Sequence, residues 1–178
     1  MAVGTTKTPK KPNPREVAKI VRDLTRENRE QSPVVQLLRR QVANSFVVYV
    51  NHKHCHWQTF GPHFRDLHKL FDEFAAEVLE SIDPIAERVR MIGPDPPASL
   101  QEFAKLASVG EGVGASMNEM IEASRKNSLI MIEEFRRGAK IAEEHDDPGT
   151  VDLCSRLVQI HEKQEWWLRD MLSDGDGL

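Results

Sequence analysis

The sequence lacks the features of a membrane, secreted or β-sheet protein. Its 178 residues contain no apolar stretch long enough to span a membrane and no signal-peptide pattern. Aromatic residues make up only 6%, and β-branched residues rarely alternate with polar ones. The two cysteines, Cys55 and Cys154, agree with a reducing cytoplasm but are too few to define a compartment. We therefore expect a one-domain, cytoplasmic, helical protein with no membrane partner.

Charge is distributed unevenly along the chain. Residues 1–15 hold four cations and no acid, whereas the remaining residues carry a net charge of −8, giving −4 overall. Residues 1–14 also contain three prolines and no apolar periodicity, which predicts a disordered basic tail over residues 1–14. Such a tail would bind DNA phosphates without reading sequence, and would associate the protein with the nucleoid. The candidate DNA-binding residues are Lys7, Lys10, Lys11 and Arg15.

The rest of the chain, residues 15–178, predicts an all-α domain. Charged residues 15–31 have apolar side chains at helical spacing, which indicates a short N-terminal amphipathic helix. Gly61-Pro62 and Gly93-Pro94 end the first two long helices, and Ser99–Ala107 predicts a short helix within the long connection that follows. Four long helices are expected, from Pro33 to about Phe60, His63 to Ile92, Ser116 to about His145, and Pro148 to about Ser173. One long crossover between helices 2 and 3, carrying a short helix, is typical of a ferritin-like four-helix bundle.

Five side chains that bind metals follow one another at spacings of 12, 4, 11 and 4: His56, His68, Asp72, Asp83 and Glu87. The pairs His68/Asp72 and Asp83/Glu87 are each one helical turn apart, so each pair can point at a common position. Imidazole with carboxylate suits iron and similar ions. The step of 11 residues separates the pairs by about 16 Å, whereas a two-metal centre spans about 4 Å. The spacing therefore suggests a site shared by two copies about a two-fold axis.

A structural interpretation of the same residues is also open. Asp83 with Pro84 would cap a restarted helix, with Glu87 as its first-turn acid, and His68 and Asp72 would be a surface pair. If the helix continues instead, Pro84 is expected to kink it and shift Glu87. No histidine has a glutamate three residues before it, which excludes the two Glu-x-x-His motifs of a single-subunit di-iron bundle.

The chain resembles the Dps miniferritins in the segment HCHWQTFGPHFRDLHKLFDEFAAEVLESIDPIAERV. Its motifs are the pair His56-Trp57, a Phe-x-x-Leu-His-x-x-Phe-Asp stretch ending at Asp72, and an Asp-x-x-Ala-Glu-Arg stretch beginning at Asp83. The resemblance covers roughly residues 33–174. It implies a homo-dodecameric cage that oxidises iron(II), preferably with hydrogen peroxide, at an intersubunit ferroxidase centre and stores the ferric product. Iron is the implied metal at the five candidate ligands, with zinc as a competing ion.

Four further residues are candidates for roles around this centre. Trp57 adjoins a ligand and is either a packing residue or an oxidisable side chain that is oxidised in the metal–peroxide reaction. The chain end LVQIHEKQEWWLRDMLSDGDGL resembles a cyanobacterial-type branch in which a histidine joins the centre, so His161 is an additional candidate ligand and otherwise a core residue. Asp147 and Asp152 lie in an acidic stretch that forms either a solvated helix cap or, as the resemblance implies, part of a three-fold ion-entry pore.

Three functions compete at this stage. The leading one is a ferroxidase and iron-storage cage that protects the cell from oxidative damage. The second is a nucleoid-associated protein whose main role is sequence-independent DNA binding through the basic tail, although the acidic body would repel DNA. The third is a catalytically empty cage in which the ligands serve only folding.

Overall fold

The computed structural model describes residues 13–15, 29, 31–112 and 114–173. Five helices follow one another in the well-described part of the chain beyond residue 31. They are α1 Pro33–Gln58, α2 Phe64–Ile92, α3 Leu100–Leu106, α4 Met117–Glu144 and α5 Pro148–Met171. The predicted all-α bundle with a short helix in its crossover is confirmed. Lys7, Lys10, Lys11 and most of the predicted N-terminal helix lie outside the described residues, so the tail and domain boundaries stay predictions.

Local capping and turn residues set the helix ends. Ser116 accepts a hydrogen bond from the Glu119 amide, and the Glu119 carboxylate accepts one from the Ser116 amide, which forms a capping box at the start of α4. Gly61 and Gly93 adopt φ values of +90° and +129°, in the left-handed region that glycine tolerates at a helix end. These signals act within a few residues, so the sequence predicts them well.

The helices form two antiparallel hairpins that pack into a bundle. Helix α1 packs along α2, α4 packs along α5, and α1 and α4 join the two hairpins. The apolar core has two parts. The larger part includes Leu38, Val48, Val78, Ile85, Met131, Phe135 and Leu157. The smaller part, nearer the α1–α2 turn, contains Cys55, Leu70, Phe71, Phe74, Met120, Ile121 and Leu168.

Helix α2 runs through Pro84 without interruption. The interpretation of Asp83 as the cap of a restarted helix is therefore wrong. Proline has no amide hydrogen, so the Glu80 carbonyl loses its helical donor, while the helix extends on both sides from Phe64 to Ile92. Asp83 and Glu87 thus remain one turn apart on a single helix.

None of the helices in the described residues is long and apolar enough to cross a bilayer.

Candidate metal centre

The α1–α2 hairpin brings His56 and His68 into direct contact. Their rings stack with centroids 3.7 Å apart and planes inclined by 21°. His56 Nδ1–H donates to the carbonyl of His68 at 2.6 Å, and His68 Nδ1–H donates to the carbonyl of His56 at 2.9 Å. Because a carbonyl oxygen only accepts, these bonds place the proton of each neutral ring on Nδ1 and leave a lone pair on Nε2. The hairpin therefore fixes two imidazoles in the tautomer and orientation of metal ligands.

Asp72 lies one turn after His68 and is held by a lysine. Lys53 Nζ donates to Asp72 Oδ1 at 2.7 Å, and the Asp72 side chain is 56% exposed. This hydrogen bond is the main reason that the pKa of Asp72 is lowered, and the charges of Lys53, His56 and His68 act in the same direction. Asp72 is thus a carboxylate beside the histidine pair that already has a cation at its oxygen.

The sequence did not predict that Lys53 belongs to this candidate site. Its Nζ also lies 6.0 Å from the centre of the Trp57 ring. The spacing does indicate that Lys53 lies near the centre, because it is three residues before His56 and four before Trp57, on the same side of α1. The partner Asp72 is on the next helix, and only the hairpin brings the two together.

The remaining two predicted ligands, Asp83 and Glu87, are exposed on α2. Within the described residues, no group of three or more His, Cys, Asp or Glu side chains is arranged to hold a metal. One chain therefore presents a histidine pair with a nearby carboxylate at one level of α2, and a carboxylate pair further along it. Because α2 is one helix through both positions, its rise separates the two levels by about 16 Å.

Trp57 is at the surface next to the histidine pair. It is 66% exposed, so it is not packed in the core of its own chain. Phe64, also exposed, stacks on His68 with ring centroids 5.0 Å apart. Both aromatic side chains therefore lie in solvent beside the histidine pair.

His161 belongs to the bundle interior. It is 1% exposed, its ring stacks on Phe135 at 5.7 Å, and its electrostatic neighbour is His52. Burial, and then the charge of His52, lower the pKa of His161 to about 3. These contacts differ from those of the half-exposed His56–His68 pair, so a role of His161 in that centre stays a prediction.

Both candidate pore acids have partners within the chain. Asp147 caps α5, where its carboxylate accepts hydrogen bonds from the Thr150 amide at 3.0 Å and the Thr150 hydroxyl at 2.7 Å, and it pairs with Arg88. Burial acts to raise the pKa of Asp147, but the Thr150 bonds and Arg88 outweigh it and lower the pKa. Asp152 is exposed and pairs with Arg156 at 3.0 Å. The cap interpretation is confirmed for Asp147, and the pore role of both acids stays a prediction.

Of the four candidate DNA-binding residues, only Arg15 is described. Its backbone amide donates to the side-chain oxygen of Asn13 at 2.9 Å.

Comparison with known proteins gives consistent results. The family model of the ferritin-like domain matches residues 35–178. DNA protection during starvation protein 2 of Bacillus anthracis is 36% identical over 141 residues, which span 79% of this chain and 97% of that protein. The structure of Dps from Thermosynechococcus elongatus is 44% identical, with a TM-score of 0.79 over 82% of this chain and 93% of that one. Dps of Vibrio cholerae O1, described as a member of a broad superfamily of ferritin-like diiron-carboxylate proteins, is 27% identical, with a TM-score of 0.76 over 82% and 92%.

Proposed function

This chain belongs to the ferritin-like family, in its Dps branch, and we propose that it is a ferroxidase that oxidises and stores iron. The observation that carries the proposal is the stacked pair of His56 and His68. Both Nδ1 atoms are committed to backbone carbonyls, so both Nε2 atoms are available beside Asp72. Imidazole and carboxylate together are suitable ligands for iron(II).

We further propose that the site is completed by a second copy of the chain. The Asp83 and Glu87 carboxylates of the second copy would face the half-site formed by His56, His68 and Asp72. Three carboxylates and two neutral imidazoles offset most of the charge of two iron(II) ions, which makes the shared site electrostatically favourable. The exposed position of all three carboxylates supports this arrangement, although Asp72 is paired with Lys53 in the single chain.

The proposed reaction uses iron(II) and hydrogen peroxide as substrates. Two iron(II) ions each lose one electron, and one peroxide accepts both electrons and two protons to give two water molecules. Pairing the two electrons avoids release of a hydroxyl radical. Trp57, at the surface beside Lys53, is proposed to supply an electron when only one iron is bound. Storage of the ferric product would require a closed homo-dodecameric cage. Asp152 is the better of the two candidates for cation entry, because its side chain is 67% exposed whereas that of Asp147 is 15% exposed.

The test of the shared site is complementation between two defective variants. Replacing Asp83 and Glu87 with alanine should abolish fast oxidation, and so should replacing His56 and His68. Subunits of the two variants are mixed, reassembled and purified as mixed cages, then titrated anaerobically with iron(II) and exposed to peroxide. Mixed dimers hold one intact and one empty centre, so part of the activity should return. Mixed cages that remain inactive would exclude a shared site.

A second function, sequence-independent DNA binding, is favoured by the four cations and the absence of acids in residues 1–15. Each arm would bind weakly, and many arms on one cage would bind together through multivalency. The test is a DNA retardation assay at increasing salt, in which counterion release predicts a steep loss of binding.

A further inference from the structure

A polar layer separates the two apolar parts of the core. On α1, buried His52 lies between Val48 of the larger part and Cys55 of the smaller part. On α5, buried His161 and Gln164 lie between Leu157 and Leu168 in the same way. The same level carries Glu77 on α2 and Ser124 and Ser128 on α4. All four long helices thus contribute polar side chains to one layer inside the bundle.

The two histidines of this layer have no hydrogen-bond partner for most of their ring nitrogens. His52 and His161 are each 1% exposed, and His52 Nδ1, His52 Nε2 and His161 Nδ1 are unpartnered. Buried polar groups in proteins almost always have a partner, so three such atoms together need an explanation. Burial lowers the pKa of His52 to about 4 and that of His161 to about 3, so both rings are neutral at physiological pH. Each neutral ring has a lone pair on one nitrogen.

Gln164 adds an oxygen donor to the same place. Its Nε2 donates to Glu77 Oε2 at 3.1 Å, and because a carboxylate only accepts, this bond fixes the orientation of the amide. The carbonyl oxygen Oε1 is then left without a partner, and Gln164 is 0% exposed. The Gln164 side chain acts to raise the pKa of both histidines, against the larger lowering by burial. Glu77 itself is partly exposed and pairs with Lys163 at the surface.

We propose that His52, His161 and the carbonyl oxygen of Gln164 form a mononuclear metal site inside the bundle of each chain. Two imidazoles and one amide oxygen suit an ion such as Zn²⁺ better than a hard ion that prefers carboxylates. Glu77 supplies a negative charge through Gln164, as carboxylates commonly do behind metal ligands. The ion pair of Lys163 with Glu77 and the hydrogen bond between Gln164 and Glu77 link the site with the surface. The site lies within one chain and does not depend on the proposed intersubunit centre.

The experiment must first remove the other candidate site. In a background variant, His56, His68, Asp83 and Glu87 are all replaced with alanine, and assembly is checked by size-exclusion chromatography. Zn²⁺ binding is then measured by competition with a chromophoric chelator, and Co²⁺ is used for its absorption spectrum. We expect one tightly bound Zn²⁺ per chain and the visible bands of a four-coordinate Co²⁺ site with nitrogen ligands.

His161→Phe in this background should weaken Zn²⁺ binding at least tenfold and remove the Co²⁺ bands. His52→Phe, on α1, should have the same effect, and it provides the test if the His161→Phe variant fails to fold. The matched control is His63→Phe, because His63 is exposed at the α1–α2 turn. A background variant that binds no Zn²⁺, or core variants that bind as much as the control, would overturn the proposal and indicate that ordered water satisfies these atoms instead.

Discussion

Lys53 occupies one oxygen of a proposed iron ligand, and this contact predicts that removing the lysine strengthens metal binding. The change to test is Lys53→Met, which keeps the length of the side chain and removes its charge. In the metal-free protein Lys53 Nζ lies 2.7 Å from Asp72 Oδ1. A metal ion that binds to this oxygen must displace the ammonium group or share the carboxylate with it. Either event costs free energy in the unchanged protein. The Lys53→Met variant has no ammonium group at Asp72, so metal binding to it does not carry this cost.

The size of the effect follows from the exposure of the pair. The Asp72 side chain is 56% exposed and that of Lys53 is 22% exposed, so solvent screens their attraction. Exposed pairs stabilise by about 0.2–1 kcal/mol, and a unit charge about 4 Å from another contributes about 1 kcal/mol in water. We therefore expect a gain of about 1 kcal/mol, equivalent to about fivefold tighter binding.

The assay is anaerobic titration with Co²⁺ as a redox-inert substitute for iron(II), at low and high salt. The affinity gain of Lys53→Met should shrink at high salt because screening weakens the competing cation. The control is Lys126→Met, which removes an exposed lysine on α4 that pairs with Glu122 at 3.8 Å. Unchanged or weaker binding by Lys53→Met, or an equal gain in the control, would show that Lys53 does not compete with the metal.

Other predictions concern the helices and the surface. Asp147→Ala removes a helix cap and its bonds to Thr150 and Arg88, so the urea midpoint should fall by the equivalent of about 1–2 kcal/mol. Because the pKa of Asp147 is lowered in the folded state, this contribution should be present above the unfolded pKa and disappear as the pH falls through the folded pKa. Pro84→Ala restores a donor for the Glu80 carbonyl and should stabilise the metal-free protein, by up to about 3 kcal/mol in thermal or urea unfolding. Trp57→Phe should leave Co²⁺ affinity unchanged but increase hydroxyl-radical yield, measured by spin trapping, when iron is below one equivalent per centre. Deletion of residues 1–15 should abolish DNA retardation at low salt and leave the rate of iron oxidation unchanged.

The sequence predicts the helices well because their signals are local. Ser116 and Glu119 cap α4 across a single turn, and Gly61 and Gly93 end α1 and α2 where φ is positive. The ligand pairs were predictable for the same reason, since a separation of four residues fixes their relative position on any helix. The contact between His56 and His68 followed from a short turn and two helices of known rise.

Two kinds of contact were not predicted from the sequence. One kind joins helices that are distant along the chain, and the other depends on how a helix is rotated about its axis. Asp147 pairs with Arg88 across 59 residues, a contact that the sequence did not predict. Helix α1 is rotated so that His52 faces the core, where its ring contacts Phe71 and Phe74. The spacing of the histidines does not predict this rotation. His52 and His56 lie on nearly the same helical face, but His52 is buried and His56 is partly exposed.

The exposed apolar side chains around the half-sites give the strongest physical argument for a second copy. Val50 and Trp57 lie two turns apart on α1, and Leu79 lies one turn before Asp83 on α2; all three are about half exposed or more. Burying such side chains favours association by about 25 cal/mol for each Å² removed from water. The exposed carboxylates of Asp83 and Glu87 oppose the same association unless cations reach them. An interface with apolar anchors and acids that need cations would therefore bring two chains together and leave them a metal site to fill.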